Sequence, residues 1–357
     1  MMSKIVKKIF FLTAFLIIFF LSACAAKQAK KEFQLAVFDK KTVHTFKFSG
    51  NQVVPVEKLS RKGNMSFARE SFKSAGQHYV TKTLEGDGLT VYLESIDGKT
   101  LEETIQPALG NDAYTSTTDG NYFYATAVFT DRIDCYKYDL QMKKILKKSI
   151  PNNEVINASN QFLVIDNSLY LLVSYVDKST QQPGTCLWKM NKDFNIQEII
   201  DLNDSSAYLR MANVGEVLYI PESYKGSDSN GEPKTGKQIM VFDLVKREKR
   251  YLPTSAKYPK SIVYNQESES IIIENDGAFT KAFSWTIHNL QTGQEKLLTL
   301  PVSYRRGYLP PFVSYQKNRI YFLFSDYLIQ YDILSEKIVT IDLKKYHIHN
   351  AHAMILK

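Results

Sequence analysis

One pattern of apolar and polar positions recurs along the chain. A short alternating run ends at Asp or Asn, a few polar residues follow, and a second alternating run begins. The copies are QLAVFDKKTVHTFKF (34–48), TVYLESIDGKTLEETI (90–105), IDCYKYDLQMKKILKKSI (133–150), CLWKMNKDFNIQEIIDL (186–202), QIMVFDLVKREKRYL (238–252), SWTIHNLQTGQEKLLTL (284–300) and YLIQYDILSEKIVTIDL (327–343). Alternation at period two marks a strand with one face packed, as at Val37/Phe38 or Met240/Phe242. Asp and Asn open turns by bonding the backbone two residues on. Each copy therefore predicts a β-hairpin, with its turn at Asp39, Asp97, Asp139, Asn191, Asp243, Asn289 or Asp332. Subtracting successive residue numbers gives spacings of 58, 42, 52, 52, 46 and 43.

Upstream of most hairpins lie a turn and a strongly apolar strand: DGNYFYATAVF (119–129), DNSLYLLVSYV (166–176), VGEVLYIPESY (214–224), ESESIIIEND (267–276) and KNRIYFLFSDY (317–327). Weaker strands precede those, at AYTSTT (113–118), AYLRMAN (207–213) and PFVSYQ (311–316). Helical periodicity is absent after residue 24 except for the ambiguous KLSRKGNMSFARESF (58–72). Four strands per unit, repeating every ~40–50 residues, is the arithmetic of an all-β β-propeller over residues 33–357. Two β-sandwiches would not explain the regular turns. The first unit shows only its last two strands (34–48), and AHAMILK (351–357) is an apolar strand without a partner of its own. Both are explained if strands from the two termini share one blade, which also covers an exposed sheet edge. Seven hairpins predict seven blades of about four antiparallel strands; six blades with an N-terminal appendage is the alternative.

The segments VFDKKT, SIDGKT and NLQTGQEK resemble the repeats of quinoprotein-like and YVTN-type bacterial propellers. The resemblance spans about residues 33–357 and implies architecture only. Quinoprotein dehydrogenases depend on Trp-rich repeats and a cofactor floor, whereas Trp188 and Trp285 are the only tryptophans here. No cofactor is carried over.

Composition adds an address. Residues 1–8, MMSKIVKK, are basic; Ile9–Ala23 is uncharged and apolar; Leu21-Ser22-Ala23-Cys24 follows. Fifteen apolar residues fall short of the ~20 a spanning helix needs and suit a secretory signal. LSAC resembles the bacterial lipobox, which implies thioether lipidation of Cys24 and cleavage before it. The expected organisation is a signal peptide (1–23, its apolar core helical), a lipidated tether (24–32) and the propeller. The expected location is the extracytoplasmic face of the cell membrane, held by acyl chains. Cleavage removes Lys4, Lys7 and Lys8, so Lys+Arg falls from 45 to 42 against 37 acids, and the +8 balance becomes +5. Lys27, Lys30 and Lys31 in the tether can sit against anionic headgroups. No dense basic patch interleaved with aromatics supports a nucleic-acid partner.

Candidate chemistry is sparse. Cys135 and Cys186 fall at near-equivalent positions in adjacent blades, too far apart for the roughly 7 Å Cα separation a disulfide tolerates, and are expected as buried free thiols. His347, His349 and His352 (HIHNAH) offer an i, i+2 pair on one strand face, set against a simple polar approach to the closing strand. Ser227–Glu232, SDSNGE, is an incomplete calcium-loop pattern and reads as a solvated loop. Nucleophile-elbow, zinc-protease and phosphate-loop motifs are absent from the sequence. The readings are a monomeric binding or scaffold module for an envelope protein, peptide or wall polymer, without cofactor or metal, and alternatively a channel-centred hydrolase, lactonase or lyase. The loops joining second to third strands and blade to blade share one face, which includes 176–185, 223–237 and 300–311. Tyr304, Arg305, Arg306 and Tyr308 on the last are the expected anchors, because Tyr and Arg are enriched at binding hot spots.

Overall fold

The computed structural model describes residues 31–62, 66–67, 71–84, 91–108, 115–153, 155–202, 206–303 and 311–357. The signal segment, Cys24 and the anchors Tyr304, Arg305, Arg306 and Tyr308 lie outside the described residues. Antiparallel sheets of four main strands form the seven blades of a β-propeller.

From the axis outward, blade 2 contains Ser66–Phe67 with Lys73–Ala75, then His78–Leu84, Val91–Asp97 and Glu103–Pro107. Blade 3 contains Thr115–Thr118, Phe123–Val128, Arg132–Tyr138 and Lys144–Pro151. Blade 4 contains Val155–Ile165, Ser168–Asp177, Pro183–Met190 and Ile196–Asp201. Blade 5 contains Ala207–Tyr208 with Ala212–Val214, then Val217–Ser227, Gln238–Asp243 and Lys249–Pro253; Pro233–Thr235 pairs with the far end of its second strand. Blade 6 contains Pro259–Asn265, Ser270–Asn275, Ala282–Asn289 and Glu295–Ser303, and blade 7 contains Phe312–Gln316, Arg319–Leu323, Tyr327–Asp332 and Ile338–Asp342. Blade 1 closes the ring: Ala353–Leu356 is innermost, followed by Leu35–Phe38, Thr42–Ser49 and Gln52–Ser60.

Closure by both termini follows the sequence pattern, but its register differs. The N-terminus supplies three strands of blade 1 rather than two. Asp39 turns between the second and third strands, while the turn equivalent to the other six is Ser49–Gln52, with Gly50 at φ +58°. That slip accounts for the long first spacing: residues 50 and 97 are 47 apart, within the range of the others. The ambiguous stretch 58–72 resolves in part into strand: residues 58–60 end one strand and Ser66–Phe67 form another.

The repeated turn has a common mechanism. The Asp97 carboxylate accepts the N–H groups of Lys99 (2.9 Å) and Thr100 (2.6 Å), and Asp243 accepts those of Val245 (2.9 Å) and Lys246 (2.8 Å). The fourth residue on then turns left-handed and returns its N–H to the pivot carbonyl, as at Leu101 (φ 60°), Arg247 (φ 62°) and Glu336 (φ 60°). The side-chain acceptor satisfies backbone donors that the tight turn would otherwise leave without partners.

Packing lies between blades. Tyr124, Ile133 and Cys135 of blade 3 meet Phe162, Leu171, Cys186 and Trp188 of blade 4 in one buried layer. Similar layers join blades 2 to 3, 4 to 5, 5 to 6 and 6 to 7, and blade 1 to both its neighbours. Cys135 and Cys186 are buried and free, and burial pushes both thiols up to about 12.

A buried ion cluster crosses the seam between blades 1 and 2. Arg61, just past the outermost strand of blade 1, donates from Nε to Glu103 Oε1 (2.7 Å) and from Nη2 to Glu94 Oε1 (3.2 Å). Its Nη1 donates to the Asp39 carbonyl (3.2 Å), and the Lys62 N–H donates to Glu103 Oε2 (2.8 Å). Burial pushes the Glu94 carboxyl up to about 7; Arg61 opposes that shift and the neighbouring Glu103 adds to it.

Candidate functional site

Strand order fixes two faces. In each blade the first-to-second and third-to-fourth turns share one end, and the second-to-third turns and blade connectors share the other. Leu35 begins a second strand and Leu356 ends a first strand, so both chain ends leave from the face of the Asp/Asn pivots. The opposite face carries 176–185, 223–237 and the start of 300–311.

About half of each of the stretches 176–185 and 223–237 is strand. In blade 4 the hairpin runs to Asp177 and resumes at Pro183, with Asp177 accepting from the N–H groups of Ser179 (2.9 Å) and Thr180 (2.8 Å). In blade 5 it runs to Ser227, and Asp228 accepts from the N–H groups of Asn230 (2.8 Å) and Glu232 (3.0 Å). SDSNGE is therefore the tip of a long hairpin that projects from the face. Residues 347–352 form no strand, so the same-face histidine geometry is not realised. His347 ends a short 3₁₀ turn at φ 61°, and the His352 N–H bonds the Phe38 carbonyl (2.8 Å). Among the described residues no three His, Cys, Asp or Glu side chains gather as metal ligands would.

An aromatic cluster that the sequence reading did not single out sits at the base of the blade 5 hairpin. Tyr258, on the connector from blade 5 to blade 6, stacks on Phe279 with ring centroids 4.3 Å apart and planes 16° off parallel. Tyr224 stands 6.3 Å from each, at 52° to Tyr258 and 66° to Phe279. Phe279 is 39% exposed. It belongs to the four-residue helix Gly277–Thr280, whose preceding Asp276 accepts the Ala278 N–H (2.9 Å).

The backbone holds this cluster in an uncommon conformation. Tyr258 has φ +50°, a region bulky residues rarely occupy. Its N–H donates to Thr235 Oγ1 (2.7 Å) and its carbonyl accepts from the Asp276 N–H (3.0 Å). The hairpin of blade 5 and the helix of blade 6 thus hold the connector between them. Such over-determined strain is common where a surface must be pre-formed.

Two charges of opposite sign, Asp276 and Arg210, act on Tyr224. Arg210 Nη1 donates to the Asn160 and Leu209 carbonyls (both 3.0 Å), and its positive charge acts on the Tyr224 hydroxyl. Burial, helped by Asp276, pushes that hydroxyl above the usual phenol value, with Arg210 opposing. Lys225, Lys257 and Lys281, near these residues in sequence, are exposed; Lys225 reaches Glu222 (3.6 Å) and Lys281 Nζ donates to the Ala278 carbonyl. The nearby acids are committed inward. Glu222 is 1% exposed and accepts from Ser206 Oγ (2.5 Å) and the Lys237 N–H (2.9 Å); Glu274 accepts from Ser261 Oγ (2.8 Å). Gly236 is required here, because a Cβ would lie 2.0 Å from the Glu222 carbonyl oxygen.

No family model and no curated protein matches this chain. Solved structures do. A protein named as a 6-phosphogluconolactonase from Bacteroides uniformis aligns with TM-score 0.56 and 9% identity over 91% of this chain and 100% of that one. The dihydro-heme d1 dehydrogenase NirN aligns with TM-score 0.49 and 13% identity over 94% and 78%. TolB from Acinetobacter baumannii aligns with TM-score 0.47 and 9% identity over 76% and 64%. Identities this low speak to the fold alone.

Proposed function

We propose that the chain is a lipid-anchored extracytoplasmic protein whose propeller binds an envelope protein, peptide or wall polymer on the face of the second-to-third turns. The observation that carries the reading is the pre-formed aromatic surface on that face, opposite the end from which the N-terminal segment leaves. Residues 24–32 span at most about 30 Å when extended, so a lipid on Cys24 would hold the exit point on the pivot face within that distance of the membrane and leave the opposite face farther from it. A rigid ring of blades suits this role because it holds many loops in fixed relation. Tyr304, Arg305, Arg306 and Tyr308, on the connector from blade 6 to blade 7, are proposed to extend the surface.

The test uses the full chain. Replacing the tip Ser227–Glu232 by a two-residue turn, and Phe279, Tyr304, Arg305, Arg306 and Tyr308 by Ala, is expected to leave the melting temperature nearly unchanged and to abolish partner capture from envelope extracts. Undiminished capture by that variant would move binding to the pivot face or the channel. The alternative of a channel-centred enzyme predicts turnover of a small ester or lactone that survives these substitutions.

A further inference from the structure

We infer that the pivot face is a membrane-contact surface: the apolar side chains around its rim, among them Val245, Leu297 and Leu334, settle in the headgroup layer of the bilayer that holds the proposed lipid anchor. The inference rests on that anchor and deepens it, because the propeller itself, and not only its acyl chains, then touches lipid.

Exposed apolar side chains are divided unequally between the two ends of the propeller. Among the described residues, every large apolar side chain that is well exposed, except Phe279, lies on a pivot turn or within the first four residues of the outermost strand that follows it. Val245 and Leu334, 64% and 70% exposed, stand on the turns of blades 5 and 7. Residues two apart on a strand share a face, so each outward row can be followed away from this end. It changes from Ile199 to Asp201 in blade 4, from Leu297 to Thr299 in blade 6 and from Ile338 to Thr340 in blade 7, all six exposed. Scattered apolar residues on a surface need no explanation, but a repeated switch from apolar to polar near one end does.

The occupant follows from where the chain leaves and where the apolar residues lie. Both termini depart from this end, and residues 24–32 reach no more than about 30 Å, so an acylated Cys24 puts the rim within reach of lipid. A protein interface gathers its apolar residues at the centre and leaves its edge polar. This face has the reverse arrangement. Its apolar residues sit on the pivot turns and outermost strands of blades 1 and 3 to 7, while turns nearer the axis are polar, as at Asp166-Asn167, Gly215-Glu216 and Lys317-Asn318. A peripheral ring of apolar tips suits a flat, deformable layer rather than a second copy of the chain. Next to Val245, a cleft of about 370 Å³ is lined by Lys246, Lys249 and Arg250 with Asp243 and Glu248. Those charges stay with water and headgroup phosphates and so limit the depth: the apolar tips reach the headgroup–acyl boundary and stop there.

The full acylated chain would be reconstituted in vesicles of phosphatidylcholine and phosphatidylglycerol, carrying one substitution at a time: Leu297→Cys, Leu334→Cys or, as the control on the opposite face, Phe279→Cys. Cys135 and Cys186 are buried with their thiols pushed up to about 12, so a thiol-reactive fluorophore labels the introduced site alone. Labels in place of Leu297 and Leu334 are expected to lose most of their quenching by aqueous iodide. Spin-labelled lipids should quench them at about 5–10 Å into the headgroup–acyl boundary, the depth of an interfacial apolar face. The label in place of Phe279 should stay open to iodide. Adding Ile199→Ser, Val245→Ser and Ile338→Ser to the Leu334→Cys chain should restore iodide quenching and leave the melting curve unchanged, since all three side chains are exposed. Iodide that reaches the rim labels as freely as the control, on a chain whose mass shows acylation at Cys24, would overturn the inference and leave the anchor standing. Protection from iodide without quenching by lipid, rising with protein density, would overturn it in favour of contact between copies. A Cys24 without acyl chains would defeat the anchor first, and the inference with it.

Discussion

Removing Arg61 should weaken the propeller at the seam between blades 1 and 2. Arg61 is buried and ties blade 1 to Glu94 and Glu103 of blade 2 at 3.2 Å and 2.7 Å. Arg61→Met retains much of the aliphatic stem and deletes the charge, leaving two buried carboxylates without this partner. Breaking a buried pair from one side costs about 3–5 kcal/mol, because the remaining charge keeps its desolvation penalty. Part of that loss is recoverable by protonation. The Glu94 carboxyl already sits at about 7, above its ordinary 4.5, chiefly through burial. A folded-state value above the unfolded one means that the folded chain holds the extra proton. This stabilising contribution is complete below about pH 4.5 and is lost as pH rises through about 7. His352 works the other way: burial lowers its imidazole, so its contribution is present above the ordinary 6.5 and lost as pH falls. The informative quantity is therefore a difference between variants. Urea unfolding at pH 5 and pH 8 should show Arg61→Met destabilised by about 3–5 kcal/mol at pH 8 and by less at pH 5. Glu94→Gln mimics the protonated acid, leaves Arg61 paired with Glu103, and should gain on the parent as pH rises from 5 to 8. An Arg61→Met variant within about 0.5 kcal/mol of the parent at pH 8, the range of ordinary surface changes, would refute the reasoning. So would a Glu94→Gln variant whose pH slope equals the parent's.

Three further outcomes follow from the same geometry. Cys135 and Cys186, both pushed up to about 12 by burial, should resist a thiol reagent in the folded chain and react at both sites after denaturation without reductant; a linked Cys135–Cys186 peptide would contradict the free-thiol assignment. Gly236→Ala places a Cβ 2.0 Å from the Glu222 carbonyl oxygen, and should cost at least the ~1–3 kcal/mol typical of overpacking in a denaturation curve; an unchanged midpoint would show that the hairpin of blade 5 yields there. Cys24→Ser should abolish metabolic acyl labelling and leave unprocessed precursor, whereas a mutant that still labels and matures would remove the lipid anchor from the proposed function.

The fold was legible because a blade writes itself in two local signals. Alternation gives the strands, and a carboxylate or amide that must accept turn N–H groups gives their junctions, so Asp97, Asp243 and Asp332 could be read without tertiary information. The same signal misled at Asp39. An Asp in a tight turn serves any hairpin, and nothing local distinguishes a second-to-third turn from a third-to-fourth one. Only the pairing of Leu35–Phe38 with Ala353–Leu356 places it. Asp177 and Asp228 make the same point, for they use the same carboxylate-to-backbone chemistry at the ends of hairpins on the opposite face.

The candidate site was hidden for a different reason. Tyr224, Tyr258 and Phe279 come from three separate segments, and each alone reads as one more aromatic in an aromatic-rich chain. Their association depends on Thr235 and Asp276 clasping the backbone of Tyr258, contacts that no periodicity encodes. One trace was available: Phe279 stands in NDGAFTK, between two strands rather than within one, where a large apolar side chain has no sheet face to cover. In a repeat architecture the pattern reports what the blades share. Departures from it at the loop face, here a helix of four residues and a hairpin extended by an extra strand, are where one blade differs from another. Both departures fall on the same face and converge on Tyr258, so the irregular parts of blades 5 and 6 are coupled. A change that shortens the hairpin past Thr235 should therefore disturb the Tyr258–Phe279 stack in the neighbouring blade, even though it touches neither ring.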